Sequence, residues 1–219
     1  MKQLLMRFLN TAIGLFLYAL GIVITIKGNI GYAPWDVFHA GLAKRIGLSI
    51  GVVSILVGIV LVIIITILKE KPGLGTISNM IFVGLFLDTL FPYIPTAKNP
   101  VIGTIMLVTG LFVIALGSYF YIKSGFGCGP RDSLMVVLAR RTKLPVGLCR
   151  IIIELLATIS GWILGGMVGF GTVISAFTIG FCVQLVFRLF RFDVTKVNHE
   201  TVSDTYATIR RAILCRERS

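Results

Sequence analysis

Long stretches of apolar residues dominate this sequence, and their length limits what the chain can fold into. Six of them are each close to the roughly 20 residues that an α-helix needs to cross a bilayer. They lie at 8–27, 48–68, 75–96, 101–122, 146–165 and 171–191. A soluble domain carries about a quarter charged residues, whereas this chain carries 14%. The sequence therefore predicts an all-α, polytopic membrane protein with about six transmembrane helices.

The second constraint is an internal repeat, because the chain matches itself without a gap when it is shifted by 96 residues. Shared apolar composition alone would not bring glycine, proline, aspartate and lysine into register together. The aligned pairs include Lys27 with Lys123, Gly31 with Gly127, Pro34 with Pro130, Asp36 with Asp132 and Gly84 with Gly180. We therefore divide the chain into a first repeat at 1–96, a second repeat at 97–192 and a basic tail at 193–219.

Three spans in each repeat place the second copy upside down in the bilayer, so we expect an inverted repeat. Loop charge predicts the same topology, because lysine and arginine accumulate on the cytoplasmic side. With the N-terminus inside, the inner side holds Lys2, Arg7, Lys69, Lys71, Lys123, Arg131, Arg140, Arg141, Lys143 and the cations of the tail. The outer side holds only Lys27, Lys44, Arg45 and Lys98. We expect both termini in the cytoplasm.

Each repeat contains one polar, glycine-rich break after its first span, at 27–36 and at 123–132. Glycine lets the backbone turn, proline suits the first turn of a helix, and an aspartate there faces the positive helix end. A helix of roughly twelve residues should follow each break, which is too short to cross the bilayer. It is expected either at the interface or as a re-entrant element. We call the two segments the first break and the second break.

Interrupted segments at matching positions of two inverted halves point to the substrate site of a transporter. The competing interpretation is a helix start that both copies keep for folding alone. In the fifth span, Arg150 and Glu154 are four residues apart, so they share a helix face and can pair. Charges inside a span usually mark pathways or relays, although a structural ion pair is the alternative. His39 is a candidate proton relay.

The predicted substrate-binding residues come from both breaks, the first short helix and the fifth span. They are Lys27, Gly31, Pro34, Trp35, Asp36, His39, Lys123, Gly127, Pro130, Arg131, Asp132, Arg150 and Glu154. The two lysines would contribute if the substrate is anionic, and the two signs of charge leave the substrate's charge open.

Two further patterns have mainly structural interpretations. The sequence Gly73-Leu74-Gly75-Thr76 is echoed by Gly169-Phe170-Gly171-Thr172, and we interpret each segment as a tight hairpin with threonine as the helix N-cap. In the tail, Val202, Tyr206, Ile209 and Ile213 recur at helical spacing. This spacing predicts either an amphipathic helix on the anionic inner leaflet or a solvated tail with a few apolar contacts.

Several classes of function are excluded. The formal net charge of +12 does not indicate nucleic-acid binding, because the basic residues flank apolar stretches and fill the tail. The chain has no phosphate-binding loop, zinc-ligand spacing or nucleophile elbow, so we expect neither an enzyme nor a cofactor nor a metal site. The four cysteines have no paired spacing and are interpreted as small buried hydrophobes or incidental thiols.

The repeated pattern Lys-x-x-x-Gly-x-x-Pro-x-Asp, followed by Leu-Ala and an apolar span, resembles the YczE/YitT-type bacterial integral membrane proteins. The likeness covers about residues 8–190, and 31–36 is its most specific part. The YczE branch is favoured because the basic tail lacks the extra soluble domain that the YitT branch often carries. The resemblance implies a bacterial cytoplasmic-membrane location and a transport role, and it supplies no substrate.

These observations favour a small secondary transporter of a small molecule, with alternating access between two inverted repeats and membrane lipid around it. Six helices are few to enclose a large ligand, which leaves a homodimer open. The alternative is a non-transporting binding or assembly component, either a substrate-capture subunit or a regulator of a partner protein, with the basic tail as its contact element.

Overall fold

A computed structural model describes residues 2–193, 197 and 200–217, and this part of the chain forms helices and their connections without any strand. The helices are α1 (Lys2–Lys27), α2 (Pro34–Ile46), α3 (Ile50–Ile67), α4 (Leu74–Leu90), α5 (Pro100–Lys123), α6 (Pro130–Thr142), α7 (Val146–Ile163), α8 (Phe170–Leu189) and α9 (Val202–Glu217). The prediction of an all-α polytopic membrane protein is confirmed.

The apolar helices correspond to the predicted spans. Among the described residues, α1, α3, α5, α7 and α8 are long and apolar enough to cross a membrane, and α4 is a shorter apolar helix of 17 residues. Seventeen residues lie near the lower limit for a crossing. The predicted end of the third span at 96 was wrong, because α4 ends at Leu90, just before Pro92. Proline has no N–H to donate to a continuing helix.

The helix boundaries follow the internal repeat. Helices α6 and α7 begin and end 96 residues after α2 and α3, and α5 ends 96 residues after α1. Helix α8 begins 96 residues after α4 and runs three residues further than its counterpart. Two short helices therefore occupy equivalent places, each directly after one of the breaks.

Helices α1 and α5 form the centre of the bundle and pack through glycines. A Cβ added at Gly14 would lie 2.9 Å from the Gly117 carbonyl oxygen, and one at Gly110 would lie 2.8 Å from the Gly21 carbonyl oxygen. Such small residues let membrane helices approach closely. Since the earlier glycine of α1 meets the later glycine of α5, the two helices run antiparallel.

Each break packs against the glycine-rich start of a helix from the other half. In the first break, Ile30 accepts a hydrogen bond on its carbonyl from the Gly171 N–H at 2.8 Å. In the second break, the Phe126 carbonyl accepts one from the Gly75 N–H at 2.7 Å. The two hydrogen bonds join equivalent residues of the repeat. In the first bond the break belongs to the first half and the helix start to the second, and in the second bond this is reversed. The two bonds tie each break to the opposite half.

The interpretation of the Gly-x-Gly-Thr segments as hairpins capped by threonine was wrong. The N-caps are Gly73 and Gly169, and each threonine lies three residues later. The Gly73 N–H donates to Thr76 Oγ1 at 3.3 Å, and the Gly169 N–H donates to Thr172 Oγ1 at 3.1 Å. Glycine is required at both N-caps, because the break of the opposite half lies so close that a Cβ at Gly73 or Gly169 would clash with its backbone.

The bundle has two end faces. At the first, Arg7 Nε donates to the Ser124 carbonyl at 2.6 Å, and Arg7 Nη1 pairs with Glu200 Oε1 at 2.7 Å. At the opposite end, the Ala97 N–H donates to the Lys27 carbonyl at 2.8 Å. We call these ends the Arg7 face and the Lys27 face.

The tail contains the predicted helix, α9, which begins at Val202. Its start is held at the Arg7 face, because the Glu200 N–H donates to the Gly125 carbonyl at 2.9 Å. Val202 and Tyr206 are exposed, at 39% and 69% of their surface. The predicted apolar contacts of positions 209 and 213 concern side chains outside the described part of the structure.

Candidate functional site

A cavity of about 390 Å³ lies between the two halves of the bundle. Every helix from α1 to α8 contributes to its wall, and most of the lining is apolar. This volume lies at the lower end of the roughly 300–1,000 Å³ that is typical of small-molecule sites. The cavity is therefore large enough for a small organic molecule.

The short helices α2 and α6 bring equivalent residues together at the cavity. Trp35 and Arg131 occupy matching positions of the two repeats, and the Arg131 guanidinium carbon lies 5.0 Å from the centre of the Trp35 ring. Residues at matching positions touch one another only where the two halves meet. The pair therefore marks the junction of the halves within the cavity wall.

Arg131 also fixes the orientation of His39. Its Nη2 lies 3.3 Å from His39 Nδ1. Since arginine only donates, Nδ1 must accept, and a neutral His39 ring therefore carries its hydrogen on Nε2. The side chain is buried, and Nε2 has no hydrogen-bond partner among the described residues. The Nε2 N–H is therefore a donor at the cavity without an acceptor among the described residues.

Two other buried polar atoms at the cavity also lack a hydrogen-bond partner among the described residues. Asp36 is 3% exposed, and its Oδ1 lacks a hydrogen-bond partner within the described part of the chain. The Tyr121 hydroxyl, on α5, is also buried and unpartnered there. Buried polar groups are nearly always hydrogen-bonded, so each exception requires an explanation. Three exceptions around one cavity favour a site that binds polar groups.

The charged residues on the second half differ in their exposure and pairing. Asp132 follows Pro130 in the first turn of α6 and is exposed toward the cavity. Arg150 Nε donates to Glu154 Oε1 at 2.8 Å, so the pairing predicted from their spacing is confirmed. In the described ranges, no three His, Cys, Asp or Glu side chains gather around a possible metal position.

Nine of the thirteen predicted binding residues line the cavity, and their role in binding stays a prediction. They are Pro34, Trp35, Asp36, His39, Pro130, Arg131, Asp132, Arg150 and Glu154. The other four do not line it, which corrects their placement. Lys27 Nζ lies 4.0 Å from the centre of the Phe91 ring, and Lys123 Nζ bonds the Tyr119 hydroxyl at 3.0 Å. Gly31 and Gly127 have φ values of +119° and +118°, so they shape the breaks.

Sequence reasoning missed Tyr121 and Asn79, which also line the cavity. The available signal was a polar side chain inside an apolar span, which is costly in lipid and therefore usually faces the bundle interior. That signal was applied only to charged residues.

The two halves differ most where α3 meets α4 and α7 meets α8. Gly51 and Gly84 are buried against one another, and a Cβ at Gly84 would lie 2.6 Å from the Gly51 carbonyl oxygen. Their counterparts, Gly147 and Gly180, have room for a Cβ with nothing within 4 Å. Helix α3 packs along α4, whereas α7 makes almost no contact with α8.

A carboxylate strengthens the closed contact between α3 and α4. Asp88 accepts from the Ser49 hydroxyl at 2.5 Å and from the Gly51 N–H at 2.8 Å. This contact lies at the Lys27 face, because Phe91 just beyond α4 touches Lys27. The matching residue on α8 is Gln184, which is exposed. Of the two matching helix pairs, α3 with α4 and α7 with α8, only the first has this polar contact in the described part of the chain.

The cavity extends along α8 toward the end of the bundle where α7 and α8 do not pack on one another. It reaches Val183 and Phe187 near the end of α8, whereas their counterparts on α4, Leu87 and Phe91, do not line it. Phe190, just beyond α8, stacks on Tyr119 near the end of α5, so this end is the Arg7 face. The cavity is therefore directed toward the Arg7 face.

Comparisons with known proteins agree with a membrane protein whose activity is undefined. A family model described as "Family of unknown function (DUF6198)" matches residues 5–188. The uncharacterized membrane protein YczE of Bacillus subtilis is 35% identical over 82% of this chain and 84% of its own length. An uncharacterized protein of Haemophilus influenzae is 31% identical over 81% of this chain and 84% of its own length. The uncharacterized protein YyaS of B. subtilis is 28% identical over 78% of this chain and 87% of its own length. No solved structure matches this chain.

Proposed function

The chain belongs to the DUF6198 family of unknown function, and on the geometry of its cavity we propose that it is a small secondary transporter. It would carry a small molecule across a bacterial cytoplasmic membrane by alternating access between two inverted repeats. The observation that carries this proposal is a cavity at the junction of the halves, where α3 packs tightly on α4 but the matching helices α7 and α8 hardly touch.

The packing of the halves supports an inverted repeat. Equivalent helices α1 and α5 run antiparallel, so two membrane-crossing copies of the unit would have opposite orientations. The hydrogen bond from Gly171 to Ile30 becomes the one from Gly75 to Phe126 when the two halves are exchanged. A twofold axis between the halves produces such a pair of equivalent bonds. Such an axis in the membrane plane is the symmetry of inverted-repeat transporters.

The distribution of cations supports an orientation. The Arg7 face carries Arg7 itself and the Arg140–Glu70 ion pair, and it holds the basic tail. Positive residues accumulate on the cytoplasmic side of membrane proteins. We therefore place the Arg7 face and both termini in the cytoplasm, and this conformation is open inward.

Alternating access follows from the asymmetry between the halves. If the repeats exchange conformations, Gly147 would pack on Gly180 as Gly51 now packs on Gly84, and α3 would separate from α4. The cavity would then close inward and open outward. Glycines retained at both pairs of positions make both closed contacts sterically feasible.

Cross-linking in native membranes tests this exchange. In a variant with the four native cysteines replaced by serine, one pair of cysteines is introduced at Ser49 and Asp88, and a second at Pro145 and Gln184. A short bifunctional thiol reagent should join the first pair in the inward-open state. It should join the second pair only in molecules that reach the outward-open state. Once one pair is cross-linked, the cysteines of the other pair should react less with each other. A second pair that never reacts refutes the exchange.

A binding or assembly component is the alternative, and the exposed Val202 and Tyr206 of α9 are the observation in its favour. Such a component needs no exchange between conformations. A bundle whose second cysteine pair never closes, but which binds a small molecule in the cavity, would support this alternative over the transporter.

A further inference from the structure

The charged groups around the cavity differ in whether they already have partners. Both guanidinium groups are engaged: Arg131 bonds His39 and stacks on Trp35, and Arg150 bonds Glu154. In contrast, no lysine, arginine or histidine nitrogen of the described chain lies within 4 Å of either the Asp36 or the Asp132 carboxylate. The groups available to a ligand are therefore carboxylates.

The overall charge of the lining has the same sign. Asp36, Asp132 and Glu154 supply three carboxylates, while Arg131 and Arg150 supply two guanidinium groups. A cleft with an excess of one sign and apolar walls attracts ligands of the opposite sign. A ligand with one positive charge would neutralise the lining, whereas an anion would add to the excess.

The uncharged polar atoms define the rest of the ligand. Asp36 Oδ1 is an unpartnered acceptor for an ammonium N–H, and Asp36 lies almost wholly inside the protein. His39 Nε2 is an unpartnered donor, so it matches a hydroxyl or carbonyl oxygen on the ligand. The remaining wall includes Ile22, Leu61 and Val83, which suit an apolar body.

From these contacts we propose that the cavity selects a small organic monocation, namely an amine with an apolar body and one hydroxyl or carbonyl acceptor. The ammonium group binds in the part of the cavity lined by the Asp36 and Asp132 carboxylates, and the acceptor faces His39. This proposal rests on the proposed function to the extent that the cavity is the substrate site. It resolves the substrate charge, which the sequence left open.

Matched ligands test the proposal without any mutation. Leucinol and phenylalaninol carry the cation and the hydroxyl, leucine and phenylalanine have a carboxylate in place of the hydroxymethyl group, and the corresponding 2-hydroxy acids have the carboxylate without the amine. Thermal stabilisation and calorimetry of the purified full chain should show binding in the order amino alcohol, amino acid, hydroxy acid. Tightest binding of the zwitterions or of the hydroxy acids would overturn the proposal.

Variants then locate the binding. Asp36→Asn and Asp132→Asn should each weaken phenylalaninol binding about 10-fold or more, since the amide keeps an acceptor oxygen but loses the negative charge that strengthens its bond to the ammonium. Glu70→Gln is the matched control, because its carboxylate pairs with Arg140 at the surface and away from the cavity. Both variants should fold, because Asp132 is exposed and Asp36→Asn removes a buried charge whose Oδ1 has no hydrogen-bond partner among the described residues. Unchanged binding in Asp132→Asn would overturn the proposed position of the ammonium.

The outcomes separate this proposal from the transporter itself. Exchange between the two cysteine pairs together with preferential binding of anions would leave the transporter standing and refute the ligand class. Binding of amino alcohols without exchange would support the ligand class and refute transport. If neither these ligands nor any compound of a broad metabolite screen stabilises the chain, the cavity is not a ligand site and both proposals fail.

Discussion

Gly84 and Gly180 hold matching positions in the two repeats, yet we expect opposite results when each is changed to alanine. A Cβ at Gly84 would lie 2.5 Å from Ile55 Cγ1 and 2.6 Å from the Gly51 carbonyl oxygen. A Cβ at Gly180 would meet nothing within 4 Å. The pair therefore isolates the contact between α3 and α4 from the ordinary effect of replacing a glycine in a helix.

The magnitude follows from two opposing effects. Alanine favours a helix over glycine by about 1 kcal/mol, which stabilises both variants equally. Overpacking a tight contact costs about 1–3 kcal/mol, and this cost applies only to Gly84→Ala. The free energies of unfolding should therefore differ by about 1–3 kcal/mol, with Gly84→Ala the less stable. At roughly 2–4 °C per kcal/mol for a chain of this size, the difference in Tm is about 2–12 °C.

Thermal denaturation of both purified variants in the same detergent measures this difference. Gly147→Ala is a second control, because it also has free space around the added Cβ. Equal Tm values for Gly84→Ala and Gly180→Ala would refute the packing argument. Gly180→Ala should in addition hinder closing of the Pro145 and Gln184 cysteine pair, because the exchanged state needs the space that it fills.

Four further substitutions test three separate parts of the structure. Asp36→Asn should leave the free energy of unfolding unchanged or raise it by about 1–3 kcal/mol in denaturant titrations, because it neutralises a buried carboxylate that lacks a hydrogen bond; a loss of stability would mean that Asp36 has a structural partner. Gly127→Ala, at φ +118°, should lower Tm, since left-handed backbone costs a side chain about 1–2 kcal/mol, and an unchanged Tm would contradict the strained turn. Arg7→Ala and Glu200→Gln should each speed limited proteolysis of the tail, and the double variant should be no faster than the singles if the two side chains act as one pair.

The helices could be predicted from the sequence because their signals are local. Apolar length predicted the spans, and a proline followed by an aspartate predicted the starts of α2 and α6 at Pro34 and Pro130. The Arg150–Glu154 pair also depends only on helical spacing. Each of these predictions needs a few neighbouring residues and no knowledge of what the helix packs against.

The placement of Lys27, Lys123, Gly31 and Gly127 could not be predicted in this way. Repetition in both halves favours a binding role, but both copies of an ancestral unit also keep the residues that shape it. The glycines are needed for positive φ and for contact with the opposite half. The two lysines lie against aromatic rings at the ends of their helices. Only the packing between the halves shows whether a residue is repeated because it binds a ligand or because it shapes the fold.

In the proposed cycle, residues that are the same in both halves and residues that differ between the halves have different roles. A contact that must close at each end in turn requires the same residue in both halves, as at Gly51, Gly84 and their counterparts. A ligand at the junction faces both halves at once, so the residues that contact it are free to differ, as His39 differs from its counterpart Met135. Asp88 is unmatched although it lies at a gate, so the Lys27 face has a polar closing contact that the Arg7 face lacks. On this reasoning the conformation in which α3 packs on α4 at the Lys27 face is the more stable of the two states of the proposed cycle.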